Sequence, residues 1–137
     1  MIAAGLGCRS GCSLEDVCRA LTQALGRASR DLADVMLLCS AHFKSKELVL
    51  ERASAHLAKQ LMLLSEAELA AHAQHTLTSS PRVAALFQVP SIAETAALAG
   101  AFELGGRTLP VRLLCARQVA GGATCALAIA GARGAAP

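Results

Sequence analysis

Three short apolar runs, each followed by helix signals, constrain the fold of this chain more than any other feature. "MIAAGLG" at 1–7, "ADVMLLCS" at 33–40 and "QLMLL" at 60–64 read as buried strands. After the first, Ser13 is placed as an N-cap with Glu15 and Asp16 in the first turn. Leu14, Val17, Leu21, Ala24 and Leu25 follow at helical spacing to about Arg27. After the second, "AHFKSK" leads into a helix from about Lys46 to Leu57. After the third, Ser65 and Glu68 make a capping box that opens a helix to about Gln74. Strands alternating with helices in this way predict parallel pairing through crossover helices.

The second half has a different pattern. "TLTSSPRVAALF" predicts a loop and then a short helix with Pro81 near its first turn. In "PSIAETAALAGA" Ser91 caps, Glu94 stands three residues on as a capping-box partner, and the helix is apolar around most of its circumference, so it should be buried. "VRLLCARQ" and "TCALAIA" predict two strands joined by the turn Ala120-Gly121-Gly122-Ala123. The expected fold class is α/β: a single three-layer α/β/α domain over residues 1–130, with a mixed, mainly parallel sheet and a C-terminal β-hairpin. The tail "GARGAAP", residues 131–137, is expected to be flexible.

Composition supports thin, closely spaced layers, because thirty of the apolar residues are alanine and a core of small side chains must bring helix and sheet close together. Three Phe and no Trp or Tyr argue against stacking-based recognition of single-stranded nucleic acid. A net charge of +3 with no run of Lys and Arg argues against DNA. Ten of the thirteen basic residues are Arg, a residue suited to carboxylate and phosphate, although a GC-rich genome is the simpler source of that bias. No apolar run is long enough to cross a membrane, and residues 1–7 lack the basic start and long apolar stretch of a signal peptide. A cytoplasmic protein is expected, with its six cysteines as reduced thiols.

Chemistry concentrates at two loops. "GLGCRSGCS", residues 5–13, follows the first strand at the end where open α/β sheets bind ligands. Gly5, Gly7 and Gly11 would turn the backbone and present N–H groups to an anion, and Arg9 would add a bidentate contact. An ordinary βα turn accounts for the same glycines, and spacing alone leaves both readings open. The loop has one residue too many for a dinucleotide fingerprint, and it lacks the Gly-Lys-Ser/Thr ending of a P-loop. Cys8 and Cys12 have no answering pair, His72-x-x-His75 has no evident third ligand, and C-x-x-C is absent, so no metal site or cofactor is expected. If the second strand is parallel to the first, its loop brings Lys44 toward the same anion and His42 as a proton donor or acceptor. Hydroxyls of Thr78, Ser79 and Ser80 would reach the same edge, or simply cap a helix.

Taken together and in order, "GLGCRSGCSLEDVCRAL", "LTSSPRV", "SIAETAALAGA" and "ATCALAIA" resemble the CobE/CbiG C-terminal family of cobalamin biosynthesis proteins over essentially the whole chain. In length the chain is similar to the stand-alone members. The resemblance implies binding of a precorrin or corrin intermediate, a macrocycle fringed with carboxylates, by a carrier or accessory factor of the oxygen-dependent route. Other enzymes of that pathway are the implied partners, with no role for nucleic acid or membrane. The alternative it implies is a hydrolase that opens the ring-A lactone of a precorrin-5-type intermediate and releases acetaldehyde. Carried over by position, the binding residues are Gly5, Gly7, Cys8, Arg9, Gly11, Lys44, Ser79 and Ser80, with His42 and Glu94 as the conceivable bases. Phe43 and Leu6 would form an apolar wall for the ring. His42 stands where the family usually has Asp, Ser10 where it has a second Arg, and Val89 where it has Gly.

Overall fold

Three serines start three of the helices. Ser13, Ser65 and Ser91 each accept, on the side-chain hydroxyl, the backbone N–H three residues on, at 3.0, 3.2 and 3.2 Å. The capping boxes expected at Ser13 and Ser65 are complete, with Asp16 and Glu68 accepting in return from the cap backbones. The computed structural model describes residues 1–42, 48–77 and 91–131. In it β1 (Ile2–Cys8) leads to α1 (Leu14–Ala28), β2 (Val35–Ala41) to α2 (Leu48–Leu57), and β3 (Leu61–Leu64) to a short α3 (Glu66–Ala70). α4 (Ile92–Leu104) then precedes β4 (Val111–Ala120) and β5 (Ala123–Ala130). The helix expected after Pro81 and all but the first residue of the expected tail lie outside the described residues.

The five strands lie in the order β3-β2-β1-β5-β4. β1 pairs parallel with β2, and β2 parallel with β3. β5 pairs antiparallel with both β1 and β4, so it alone runs against the other four strands. The sheet is therefore mixed and mainly parallel, closed by the C-terminal hairpin. Two successive crossovers of one hand, stepping the same way, put α1 and α2 on one face. α4 returns across the other face and delivers the hairpin to the free side of β1.

Strand alternation sorts β1 between the two cores. Ala4 and Leu6 join Val17, Leu21 and Ala24 of α1 and Leu50 of α2, while Ala3 joins Ala93, Ala96 and Ala97 of α4. Every residue of α4 from Ile92 to Ala101 is buried, Glu94 and Thr95 included, as its all-round apolar pattern predicts. Its approach to the sheet is set by small residues. A methyl group on Gly5 would run into the Ala93 carbonyl oxygen and lie 2.5 Å from the Ala97 nitrogen, both backbone atoms. A methyl on Gly100 would meet the Cys39 sulfur and lie 3.3 Å from Ala3 Cβ. Because Ala93 sits over Gly5 and Gly100 over Ala3, α4 runs antiparallel to β1 and starts at that strand's C-terminal end.

Gly5→Ala should therefore lower the unfolding free energy by about 3 kcal/mol or more, since the clash is with backbone and not with a movable side-chain tip. Gly26, exposed on α1 with open space around it, is the control. Gly26→Ala should raise stability by about 0.5–1 kcal/mol, with both changes read from urea unfolding.

Candidate functional site

β1 ends at Cys8 and β2 at Ala41, yet their paired register runs only from Ile2↔Val35 to Gly5↔Cys39. Beyond it the buried Ser40 hydroxyl donates to the Leu6 carbonyl at 2.7 Å, a side chain satisfying a backbone group of the neighbouring strand. Both strands end at the same edge of the sheet, the edge beyond the C-terminal ends of parallel strands where open α/β sheets bind ligands, and the strand order reverses on the other side of β1, at β5. Arg9 follows β1, His42 follows β2, and both are exposed. The start of α2, the start of α4 and the β4–β5 turn lie at this same edge. Leu48 and Leu77 are also here, and with 61% and 69% of their surface exposed they offer apolar contact that the sequence reading did not single out.

Several expected site residues sit elsewhere than in a ligand-facing loop. Gly5 and Gly7 belong to β1 itself: the first admits α4, and a methyl on the second would run into the Thr124 hydroxyl. Leu6 is fully buried in the core under α1 and so cannot wall a ligand. Lys44, Ser79, Ser80 and Phe43 lie outside the described residues.

The loop after β1 is a closed turn. Cys8 and Cys12 are joined by a disulfide with 6.1 Å between their Cα atoms, which corrects the expectation of six reduced thiols. Gly11, at φ +82°, takes the left-handed conformation that lets the chain double back. Arg9 N–H donates to the Gly122 carbonyl at 2.9 Å, and Cys12 N–H donates to the Arg9 carbonyl at 3.0 Å. The hairpin turn thus lies directly against the loop, and a methyl on Gly122 would come 2.8 Å from Cys12 Cβ.

Asp16 completes this arrangement. Its Oδ2 accepts from Gly122 N–H at 3.3 Å and from Ser13 N–H at 3.4 Å. Those backbone donors, Gly122 first, hold its carboxyl below the ordinary carboxylate value. Several backbone amides around the loop are thus engaged within the chain. The start of α1 already faces a carboxylate of the chain itself, and two loop amides are spent on internal bonds. The Arg9 side chain is exposed on this loop.

Glu94 is placed as a strut. Fully buried, it accepts Leu77 N–H on Oε1 at 2.7 Å and Arg117 N–H on Oε2 at 2.9 Å. It therefore ties α4 to the backbone before residue 78 and to the backbone of β4. Its role as an N-cap partner is likewise replaced: Ser91 caps, but the Glu94 side chain reaches outward to other segments.

A concavity of about 270 Å³ lies between α3 and the C-terminal half of α4, away from this edge. Its charges are already engaged, Glu103 with Arg107 at 2.8 Å and Glu68 with the Ser65 backbone at 2.9 Å. His72 lines it and meets the Phe102 ring edge-on at 5.3 Å, while burial holds its imidazole below the usual value. Among the described residues no three His, Cys, Asp or Glu side chains gather as metal ligands, and no helix is long and apolar enough to cross a membrane.

The family model for the cobalamin synthesis G C-terminus matches residues 2–128. The chain belongs to that family. Among solved structures it is similar to CobE, a protein from the cobalamin (vitamin B12) biosynthetic pathway, at 33% identity and a TM-score of 0.88, covering 96% of this chain and 93% of that one. It is also similar to the cobalamin biosynthesis protein chiG from Agrobacterium tumefaciens, at 26% identity and a TM-score of 0.71, covering 96% of this chain and 100% of that one. A cobalamin biosynthesis protein G homolog from Sulfolobus solfataricus shares the fold at 18% identity and a TM-score of 0.61, over 93% of this chain and 36% of that one. No curated protein sequence matches the chain. As a member of the cobalamin synthesis G C-terminus family, the chain carries its fold over essentially its full described length.

The Asp16 contact makes the edge of this family member sensitive to acid. A carboxyl whose value falls on folding contributes its stability above the ordinary value of 3.8 and loses it as pH drops through the lower folded value. The thermal midpoint of the wild type should exceed that of Asp16→Asn at pH 7, and the two should converge as the pH is taken below 3.8.

Proposed function

We propose that this chain binds a polycarboxylate precorrin or corrin intermediate of cobalamin biosynthesis and hands it on to another enzyme of the pathway in the cytoplasm. The observation that carries this reading is that the exposed Arg9 and His42 follow directly on the C-terminal ends of the adjacent parallel strands β1 and β2. A macrocycle fringed with acetate and propionate groups needs cations at its rim and apolar contact on its faces. Arg9 supplies a planar guanidinium for a carboxylate, and Leu48 and Leu77 supply alkyl contact. Lys44 is the second cation of this reading, and Ser79 and Ser80 are its hydroxyls.

Carrying is favoured over hydrolysis by the state of the two conceivable bases. Lactone opening needs an activated water or nucleophile and a group to receive its proton. Glu94 is buried and bound to backbone amides, which leaves His42 as the exposed candidate. A carrier needs no such pair, only a rim of charge and an open edge.

Hydrogenobyrinic acid absorbs visible light, whereas the chain has no chromophore there, so a titration follows the ligand alone. A saturable spectral shift is expected, with affinity weakened about tenfold by Arg9→Ala, equivalent to about 1.4 kcal/mol. Absence of any shift with this ligand, or an affinity indifferent to Arg9→Ala, would sink the proposed site. Time-dependent conversion of a bound lactone-bearing intermediate would replace the carrier with the hydrolase.

A further inference from the structure

We propose that Cys8 and Cys12 form a reversible thiol–disulfide site, opened by dithiols, which locks the Arg9 loop when oxidised and frees it when reduced. The pair lies at the candidate binding edge and encloses Arg9 within a five-residue ring. Cys8 is buried at the end of β1, whereas Cys12 is only half-buried on the loop, so an attacking thiolate can reach its sulfur. Accessible disulfides of this kind are the labile and regulatory ones.

Two further observations support cycling over permanent stapling. A ring this short removes less freedom from the unfolded chain than a longer one would, so the bond contributes at the low end for a disulfide. The fold around it is held by other means, namely the β1–β5 ladder, the Ser13–Asp16 cap and the Asp16 contact to Gly122. Opening the disulfide leaves all three in place. What it removes is the covalent closure of residues 9–11, after which only the Cys12 N–H to Arg9 carbonyl bond spans the turn.

The site is also selective. The other four cysteines, Cys18, Cys39, Cys115 and Cys125, are free thiols, and burial raises the pKa of each. They carry less thiolate and are correspondingly inert. Reduction balances as ordinary exchange. A dithiol gives two electrons and two protons to the Cys8–Cys12 bond, which becomes two thiols while the dithiol's own sulfurs join. The consequence for a ligand rests on the function proposed above: the locked loop holds the Arg9 guanidinium ready for a carboxylate, and the freed loop must order it on binding.

The Arg9–Ser10 peptide bond is itself a tryptic site, which gives a readout independent of any ligand. Full-length protein is equilibrated in dithiothreitol mixtures of graded poise, acid-quenched, unfolded and alkylated, then weighed. The mass should pass reversibly from six alkylated thiols to the four of Cys18, Cys39, Cys115 and Cys125. Tryptic cleavage after Arg9 of the native protein should quicken at least tenfold on reduction, with cleavage after Arg19 unchanged. Cys12→Ser, which removes the half-buried partner only, should cleave at the fast rate with or without dithiothreitol. Six alkylated thiols at every poise, or equal cleavage rates in the two states, overturns the proposal. In the titration with hydrogenobyrinic acid, the oxidised form should bind about tenfold more tightly than the reduced. Equal affinity in both states, with Arg9→Ala still weakening it, overturns the coupling and leaves the functional reading standing. Switching of mass and cleavage without binding in either state leaves the thiol site standing and overturns the functional reading.

Discussion

The close contact of α4 with β1 is the constraint on which the rest of the molecule depends. Gly5 lies against the backbone of α4, and Gly100 on that helix lies against Ala3 and Cys39. With the helix this near the sheet, alanines can fill the space between them, and Ala93, Ala96 and Ala97 form a core that larger side chains would force apart. The direction of α4 follows from the same contacts. Its start comes to the C-terminal ends of β1 and β2, which brings the buried Glu94 to the edge where the chain opens.

Glu94 then does for the edge what the glycines do for the layers. A carboxylate removed from water is costly unless hydrogen bonds satisfy it, and Leu77 and Arg117 donate to one oxygen each. Through those bonds α4 holds the backbone before residue 78 and the backbone of β4. On the other side of β1 the hairpin turn plays a similar part. Gly122 accepts from Arg9 N–H and donates to Asp16, so the loop after β1, the start of α1 and the end of the hairpin form one unit. The exposed groups, Arg9 and His42, stand on a scaffold whose backbone groups are largely spoken for. Their side chains are the adjustable part, and the disulfide across Arg9 governs how freely one of them moves.

Local structure was largely legible in the sequence. Ser13 with Asp16 and Ser65 with Glu68 are short-range patterns whose energetics involve only neighbouring residues, and both boxes are present. The apolar runs became β1, β2 and β3, the all-round apolar helix became the buried α4, and the Gly121-Gly122 turn closed the hairpin. The site was legible in part. Arg9 and His42 follow the ends of neighbouring strands, because alternating strands and helices imply the parallel pairing that β1 and β2 show. Leu6 lies in the core under α1 and not on a ligand wall, because a strand residue's surroundings depend on which side its covering helix takes. The Ser91–Glu94 spacing fits a capping box, whereas the Glu94 carboxyl accepts from Leu77 and Arg117, 17 and 23 positions away.

By itself the sequence determined the kinds of element, their order, their caps and the need for thin layers, since these follow from periodicity, local hydrogen bonding and side-chain size. Only the tertiary structure decided that β5 would lie beside β1 with its turn against the Arg9 loop. It alone decided that Gly5 would be a seat for α4 instead of a loop hinge, and that Cys8 and Cys12 would meet. These outcomes depend on contacts between residues far apart in the chain, or on the exact path of a turn, and neither is encoded in any local pattern. Pairing across long sequence separation is settled by which arrangement buries the apolar faces and satisfies every backbone group at once.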